Sequence, residues 1–297
     1  MTANTILQTM RSPFLLLVVS CLSLPLCYSI AADIRWSPVI LTLIVASALL
    51  AHISVNMLNE YMDCDSDRQR GSSRTPFSGG SGALVAQPQR RDVVKHMALV
   101  MVGLTITGGL AIVMLQPAQT GLLVLLGLLG AGIVVTYTPW LNRLPWLCLL
   151  APGTGFGLVM CFGSYVALTG RTDSAMLLLA LIPMLLVNNL LLLNQFPDAD
   201  IDRRHGRRHL VIVYGYRTAA TVLCVQWCLA AAIIAGLVVR GTLPVPALAT
   251  LTFLLPALWI AGKARHYHAP TPAFIRAMGL NVLITLLLPV ALAVSVL

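Results

Sequence analysis

Apolar windows of about 20 residues, the length a helix needs to cross roughly 30 Å of hydrocarbon, recur along the whole of this chain. Nine of them predict nine spans, near residues 14–32, 37–58, 93–115, 119–138, 147–169, 174–195, 218–239, 244–262 and 273–296. Polar residues gather between them, and most of the connections are short. The pattern predicts an all-α integral membrane bundle of about nine transmembrane helices, formed by one polytopic unit covering residues 1–297.

Composition agrees. Of 297 residues, 58% are hydrophobic and 10% charged, with a mean hydropathy of +0.87, which excludes an ordinary soluble domain. With an odd number of spans and the N-terminus inside, every connection falls on a defined side. Sixteen of the nineteen Lys and Arg residues then lie on the cytoplasmic side, leaving Arg35, Arg171 and Arg240 outside. That bias predicts a cytoplasmic N-terminus and an outside C-terminus in a bacterial-type inner membrane. Ser29-Ile30-Ala31-Ala32 at the end of the first span also fits a cleaved signal peptide, but removing the span spoils the alternation of basic loops. The net charge of +9 calls for no nucleic acid, because most of it faces the anionic lipids of the inner leaflet.

Two cytoplasmic connections are long and densely charged: residues 59–92, after the second span, and 194–217, after the sixth. In the first, Asn59, Asp63 and Asp67 stand at i, i+4 and i+8, on one helical face if the second helix continues that far, with Asn56 and Glu60 near the stripe and Asp65 pointing away. In the second, Asn194, Asp198 and Asp202 repeat this spacing, each offset by 135 positions from its counterpart. Between them Pro197 predicts a break and a fresh helical start, since proline is tolerated there and not inside a helix. Carboxylates four apart repel unless a cation lies between them. Hard oxygen donors from Asp and Asn suit magnesium, which completes its octahedron with water and phosphate. Two such clusters on one membrane side could clamp a diphosphate through bridging ions, whereas a single cluster would more often be merely solvated.

A basic, glycine-rich stretch follows each cluster. Arg68, Arg70 and Arg74 precede Gly79, Gly80 and Gly82, and Arg203, Arg204, Arg207 and Arg208 surround Gly206. Arginine's planar fork suits phosphate oxygens, yet topology alone explains any one of these cations. The glycines fit either an anion-binding backbone or a flexible loop. The seven cysteines form no CxxC pair and read as small apolar packing residues.

At these residues the chain resembles the UbiA superfamily of intramembrane prenyltransferases, within it the 1,4-dihydroxy-2-naphthoate prenyltransferase-like branch. Asn59 through Asp67 is similar to that family's first aspartate motif, and Asn194-Gln195-Phe196-Pro197-Asp198 with Asp202 to its second. Arg74 through Ser81, Gly206 through Val211, Tyr137-Thr138-Pro139 and the stretch from Gly163 to Gly170 add supporting matches, so the likeness covers roughly residues 50–217. The resemblance implies that Asp63, Asp67, Asp198 and Asp202 are catalytic, and that with Asn59 they hold Mg2+. It implies that Asn59, Asn194, Arg74 and Arg207 bind diphosphate. Glu60, Gln195, Arg207 and His209 depart from the branch, as does Ala151-Pro152-Gly153-Thr154-Gly155 where an Arg-Gly-Leu-Gly-Glu run is expected; that last difference bears on the acceptor.

The implied activity is Mg2+-dependent transfer of a polyprenyl group from prenyl diphosphate to an aromatic acceptor, a 1,4-dihydroxy-2-naphthoate or related quinone precursor of menaquinone-type biosynthesis. Its partners are the two substrates and membrane lipid, with the active-site cavity opening to the cytoplasmic side. Tyr61 and Tyr137 are candidate pocket neighbours, or ordinary packing and interface residues. His52, Asn188, Asn189, Gln226 and Asn281, inside spans, are expected to hydrogen-bond between helices, and His266 and His268 to be solvated. Three rivals stand beside this reading. A terpene cyclase of the same superfamily would use both clusters without an acceptor. A phospholipid head-group transferase lacks its pattern here, and a cation transporter would hold its acids at mid-membrane.

Overall fold

The computed structural model describes residues 2–70 and 74–297. Among them there is no strand, and nine helices are long and apolar enough to cross a membrane. A short helix, α1 (Thr2–Thr9), precedes them. The nine are α2 (Ser12–Ala31), α3 (Pro38–Arg70), α4 (Pro88–Leu115), α5 (Pro117–Thr136), α6 (Pro145–Thr169), α7 (Ser174–Asn194), α9 (Leu210–Val239), α10 (Val245–Arg265) and α11 (Pro272–Ser295). The short α8 (Ala199–Arg204) lies between α7 and α9.

Helix α7 is the axis of the bundle. In its apolar window 67% of residues are buried, against 11% in α4 and α5, so α7 is enclosed by protein while α4 and α5 present their sides outward. It packs on α6, α9, α11 and α2, and α3 runs alongside α4. Because hydrocarbon offers no hydrogen bonds, polar groups on these helices must pair with one another. On α7 the Asn189 side-chain oxygen accepts from Gln226 Nε2 at 2.8 Å, and its backbone carbonyl accepts from Asn281 Nδ2 at 3.0 Å. Asn188 Oδ1 accepts from the Gly153 backbone N–H at 3.0 Å. These four residues tie α7 to α6, α9 and α11 as expected of them. His52 does otherwise: its buried ring packs edge-on against Phe156 at 5.0 Å, and its Nδ1 has no partner among the described residues.

Several spans differ from expectation at an end or in their interior, and the first of these differences positions the site. Helix α3 does not stop near residue 58; it continues unbroken to Arg70, which carries the first acidic stripe beyond the apolar window on a rigid rod. Helix α9 begins at Leu210, well before residue 218, with an interruption at Gly215 (φ 80°, ψ 169°), a conformation open essentially to glycine alone. Helix α6 contains a π-helical stretch, Gly155–Phe162, directly after the divergent Ala151–Gly155 segment. Helix α10 opens as ten residues of 3-10 helix, Val245–Leu254.

Candidate active site

The two acidic clusters meet. On α3, Asn59, Asp63 and Asp67 face one way, with Arg70 a further turn along, while Asp65 points outward and pairs with Arg91 at 3.2 Å. The other cluster forms where α7 ends at Asn194 and the chain turns through Gln195–Asp198 into α8. Pro197 sits in that break, just before Asp198 at the head of α8. Asn59, Asp63, Asp67, Asn194, Asp198, Asp202 and Arg207 all line one cavity of about 120 Å³.

Two guanidinium groups join the clusters across the cavity. Arg70 pairs with Asp67 (Nε to Oδ1, 3.0 Å) on its own helix and with Asp202 (Nη2 to Oδ1, 2.7 Å) and Asp198 from the other side. Arg207 pairs with Asp63 on α3 and with Asp202 (Nη1 to Oδ2, 3.2 Å). His209 Nε2 stands 3.3 Å from Asp202 Oδ2. Arg70, Asp67, Asp202 and His209 are all buried. Paired charges so enclosed interact far more strongly than at a surface, and removing one partner leaves the rest exposed to a large desolvation cost.

Burial separates the two acids of the second cluster. It pushes the Asp198 carboxyl up to about 7, only partly opposed by Arg70. Burial acts on Asp202 in the same sense, but the His209 contact, Arg207 and Arg70 outweigh it and hold that carboxyl below its usual range. Arg207 is raised by Asp63 and Asp202 against its own burial, so it stays charged. Burial lowers His209, with Asp202 pulling the other way.

Around the acids the loops are fastened in place. Glu60, buried on α3, accepts from Arg11 at 2.8 Å and from the backbone N–H and hydroxyl of Ser81 at 2.7 and 2.8 Å. This closes the 74–82 loop over the carboxylates. Gly80 lies so close that a Cβ there would stand 2.0 Å from Asp67 Oδ2, and its φ of +69° suits glycine. Arg74 does not line the cavity; it donates to the Asp67 carbonyl at 3.0 Å and supports the loop from behind. Tyr61 is likewise elsewhere, beneath the Arg91 and Lys95 cations at 5.0 and 5.3 Å.

Tyr137 and Thr138 do line the cavity, and Thr138 donates to the side-chain oxygen of Asn59. Of the seven cysteines, Cys148 departs from simple packing: it lines the cavity and accepts from Gln195 Nε2 at 3.3 Å. Arg70, Asn142 and His209 are cavity residues that sequence reasoning left out of the site. Arg70 had a usable cue, lying three residues beyond Asp67 on an unbroken helix; Asn142, whose carbonyl accepts from the Arg208 N–H at 3.0 Å, had none.

The donors suit magnesium. All are hard oxygens, and the buried Oδ1 of Asn194, a residue of the cavity lining, has no hydrogen-bond partner among the described residues, an acceptor that a cation would satisfy. Among those residues no three His, Cys, Asp or Glu already converge as a ready cage. Facing half-sites that need substrate oxygens to finish coordination are the arrangement magnesium commonly takes.

Residues 16–283 match the model of the UbiA prenyltransferase family. The chain belongs to that family. A curated relative, 1,4-dihydroxy-2-naphthoate octaprenyltransferase from Bacillus subtilis (strain 168), is 27% identical over 204 residues, which span 66% of this chain and 61% of the relative. The fold matches solved UbiA homologues along nearly its whole length. One from Archaeoglobus fulgidus bound to GPP and Mg2+ has a TM-score of 0.70 at 15% identity, covering 98% of this chain and 99% of that one. An apo homologue from Aeropyrum pernix K1 has a TM-score of 0.67 at 19% identity, covering 94% and 98%. These likenesses make the chain an integral membrane protein of UbiA fold.

Proposed function

We propose that this protein transfers a polyprenyl group from a prenyl diphosphate to an aromatic acceptor of the 1,4-dihydroxy-2-naphthoate type, with Mg2+ as cofactor, at a cavity opening to the cytoplasmic side. The observation that carries this reading is the meeting of two acidic clusters, 135 positions apart, in one cavity. Membership of the UbiA family and the naphthoate octaprenyltransferase relative support the reaction class. The Mg2+-bound homologue supports the metal.

Asn59, Asp63, Asp67, Asp198 and Asp202 would hold the ions, and Asn194 supplies a further oxygen. Bound magnesium would neutralise the departing diphosphate and lower the barrier to breaking the allylic C–O bond. Arg207, held charged at the junction of the clusters, donates to phosphate oxygens. Arg74 acts at one remove by keeping the glycine loop against Asp67. Apolar helix faces exclude water while the allylic carbon carries positive charge, and Tyr137 is an aromatic residue of the cavity lining available to stabilise that charge. The acceptor ring attacks that carbon; with a dihydroxynaphthoate, the ring carboxylate then leaves as carbon dioxide.

The test incubates membranes containing the protein with Mg2+, labelled prenyl diphosphates and a panel of naphthoate, benzoate and homogentisate acceptors. With the dihydroxynaphthoate acceptor, a decarboxylated prenyl naphthalenediol is expected with equimolar carbon dioxide and diphosphate, all abolished by EDTA and by Asp63→Ala or Asp198→Ala. Full activity in either variant overturns the site. A cyclised hydrocarbon formed from prenyl diphosphate alone overturns the acceptor and turns the reading toward a terpene cyclase.

A further inference from the structure

Arg70, like Arg207, touches acids of both clusters, and of the two it is the more deeply enclosed, with a side chain 3% exposed against 18%. It is anchored on α3, one turn beyond Asp67, yet two of its nitrogens reach Asp198 and Asp202, which belong to the α7–α8 turn and α8. The oxygens it holds, Asp67 Oδ1, Asp198 Oδ1 and Asp202 Oδ1, are those a divalent ion would need. A magnesium ion that takes these same oxygens at its short, near-octahedral distances competes with the guanidinium for them.

We propose that Arg70 is a built-in counter-cation of the aspartate box, one that a divalent ion displaces and that then serves the diphosphate. Without it, Asp67, Asp198 and Asp202 would repel one another across the cavity and the α8 cluster would have no tether to α3 through this side chain. With it, the two half-sites keep their spacing, and ion entry proceeds as an exchange of one cation for another. The displaced guanidinium stays on α3 beside the cavity, where an incoming anion meets a second arginine besides Arg207. The inference rests on the transferase reading only for the diphosphate step; the exchange of cations stands on the ion pairs themselves.

Two opposite effects of one substitution test it. In the full chain purified in detergent, Arg70→Gln should lower the metal-free unfolding temperature by about 5–10 °C in EDTA, as expected for opening a buried ion network. Titrated with Mg2+ alone, the variant should be protected at a concentration at least about threefold lower than the wild type, since no guanidinium competes. With Mg2+ held saturating and inorganic pyrophosphate added, the order should reverse, the variant needing about tenfold more pyrophosphate for equal protection, the loss of one charge-assisted contact. Arg70→Lys, which keeps the charge but loses the fork, should fall between on all three readouts and substitutes if the glutamine variant does not fold. Arg91→Gln, breaking an exposed pair, should match the wild type.

Unchanged metal-free stability, or weaker protection by Mg2+ alone in both Arg70 variants, overturns the proposal. The crossover between variant and wild type, with no prenyl transfer by the wild type, retains the Arg70 assignment and loses the transferase reading. Active transfer without the crossover does the reverse.

Discussion

Asp202 is the residue on which the site's charges converge. It receives Arg70, Arg207 and the His209 edge at once, and it is buried. Asp202→Asn keeps the shape and removes the charge, leaving two buried guanidiniums short of a partner, so a loss of about 3–5 kcal/mol of stability is expected. Thermal unfolding in EDTA measures it, and a variant as stable as the wild type would contradict the pairing. Glu60 tells a different story, because its contacts hold the loop and not the ions. Glu60→Ala strands Arg11 and the Ser81 N–H, which should raise the KM for prenyl diphosphate about tenfold with a much smaller change in kcat. An equal fall in kcat with KM unchanged would instead put Glu60 in the chemical step. Sequence alone placed Glu60 near the acidic stripe and marked it as a departure from the family pattern. Its role depends on a contact with Ser81, twenty-one positions away, for which spacing along one helix gives no cue.

The elements that matter are those that carry side chains past the apolar windows. An apolar window locates what hydrocarbon requires and is silent about how far a helix runs on into the interface, which is why α3 reaches Arg70 and α9 starts at Leu210. The i, i+4, i+8 spacing of Asn59, Asp63 and Asp67 was legible because it presupposes only a helix. The turn at Gln195–Asp198 was legible because Pro197 follows closely on the end of an apolar run; Pro183 inside α7 and Pro289 inside α11 show that a proline without that boundary marks no break. The interruption of α9 was not, since nothing in Tyr214-Gly215-Tyr216 distinguishes a strained glycine from a tolerated one. Gly215 (φ 80°, ψ 169°) occupies backbone space costing a side-chain-bearing residue about 1–3 kcal/mol. Gly215→Ala should therefore lower the unfolding temperature by roughly 2–10 °C. Gly236→Ala is the comparison: it lies on the same helix with open space around an added Cβ, and it should be neutral or slightly stabilising. Equal behaviour of the two variants would mean that the interruption is not held in the folded protein.

Over the whole molecule, nine spans were readable because two independent patterns agree, apolar length and the side on which Lys and Arg fall. The relative placement of the helices was not readable, because lipid-facing and protein-facing surfaces are both apolar; only buried polar residues such as Asn189 and Asn281 separate α7 and α11 from α4 and α5. The same logic predicts an orientation that can be measured. The cavity, the 74–82 loop, Arg207 and the last turn of α10 with Lys263 and Arg265 all belong to the segments expected on the side richest in basic residues. An odd number of spans then sends Leu297 to the opposite side from Thr2. A reporter that fluoresces only in the cytoplasm should be dark when fused after Leu297 and bright when fused at the N-terminus, while a reporter active only outside should behave in the opposite way. Removing charge tests the cause: replacing Arg203, Arg204 and Arg208 by Gln deletes three cations from the α7–α9 connection without touching Arg207. Against the sixteen basic residues expected on that side and the three expected on the other, the loss should leave the orientation unchanged. A bright C-terminal fusion in the wild type would reverse the assignment and turn the diphosphate cavity away from the cytoplasm.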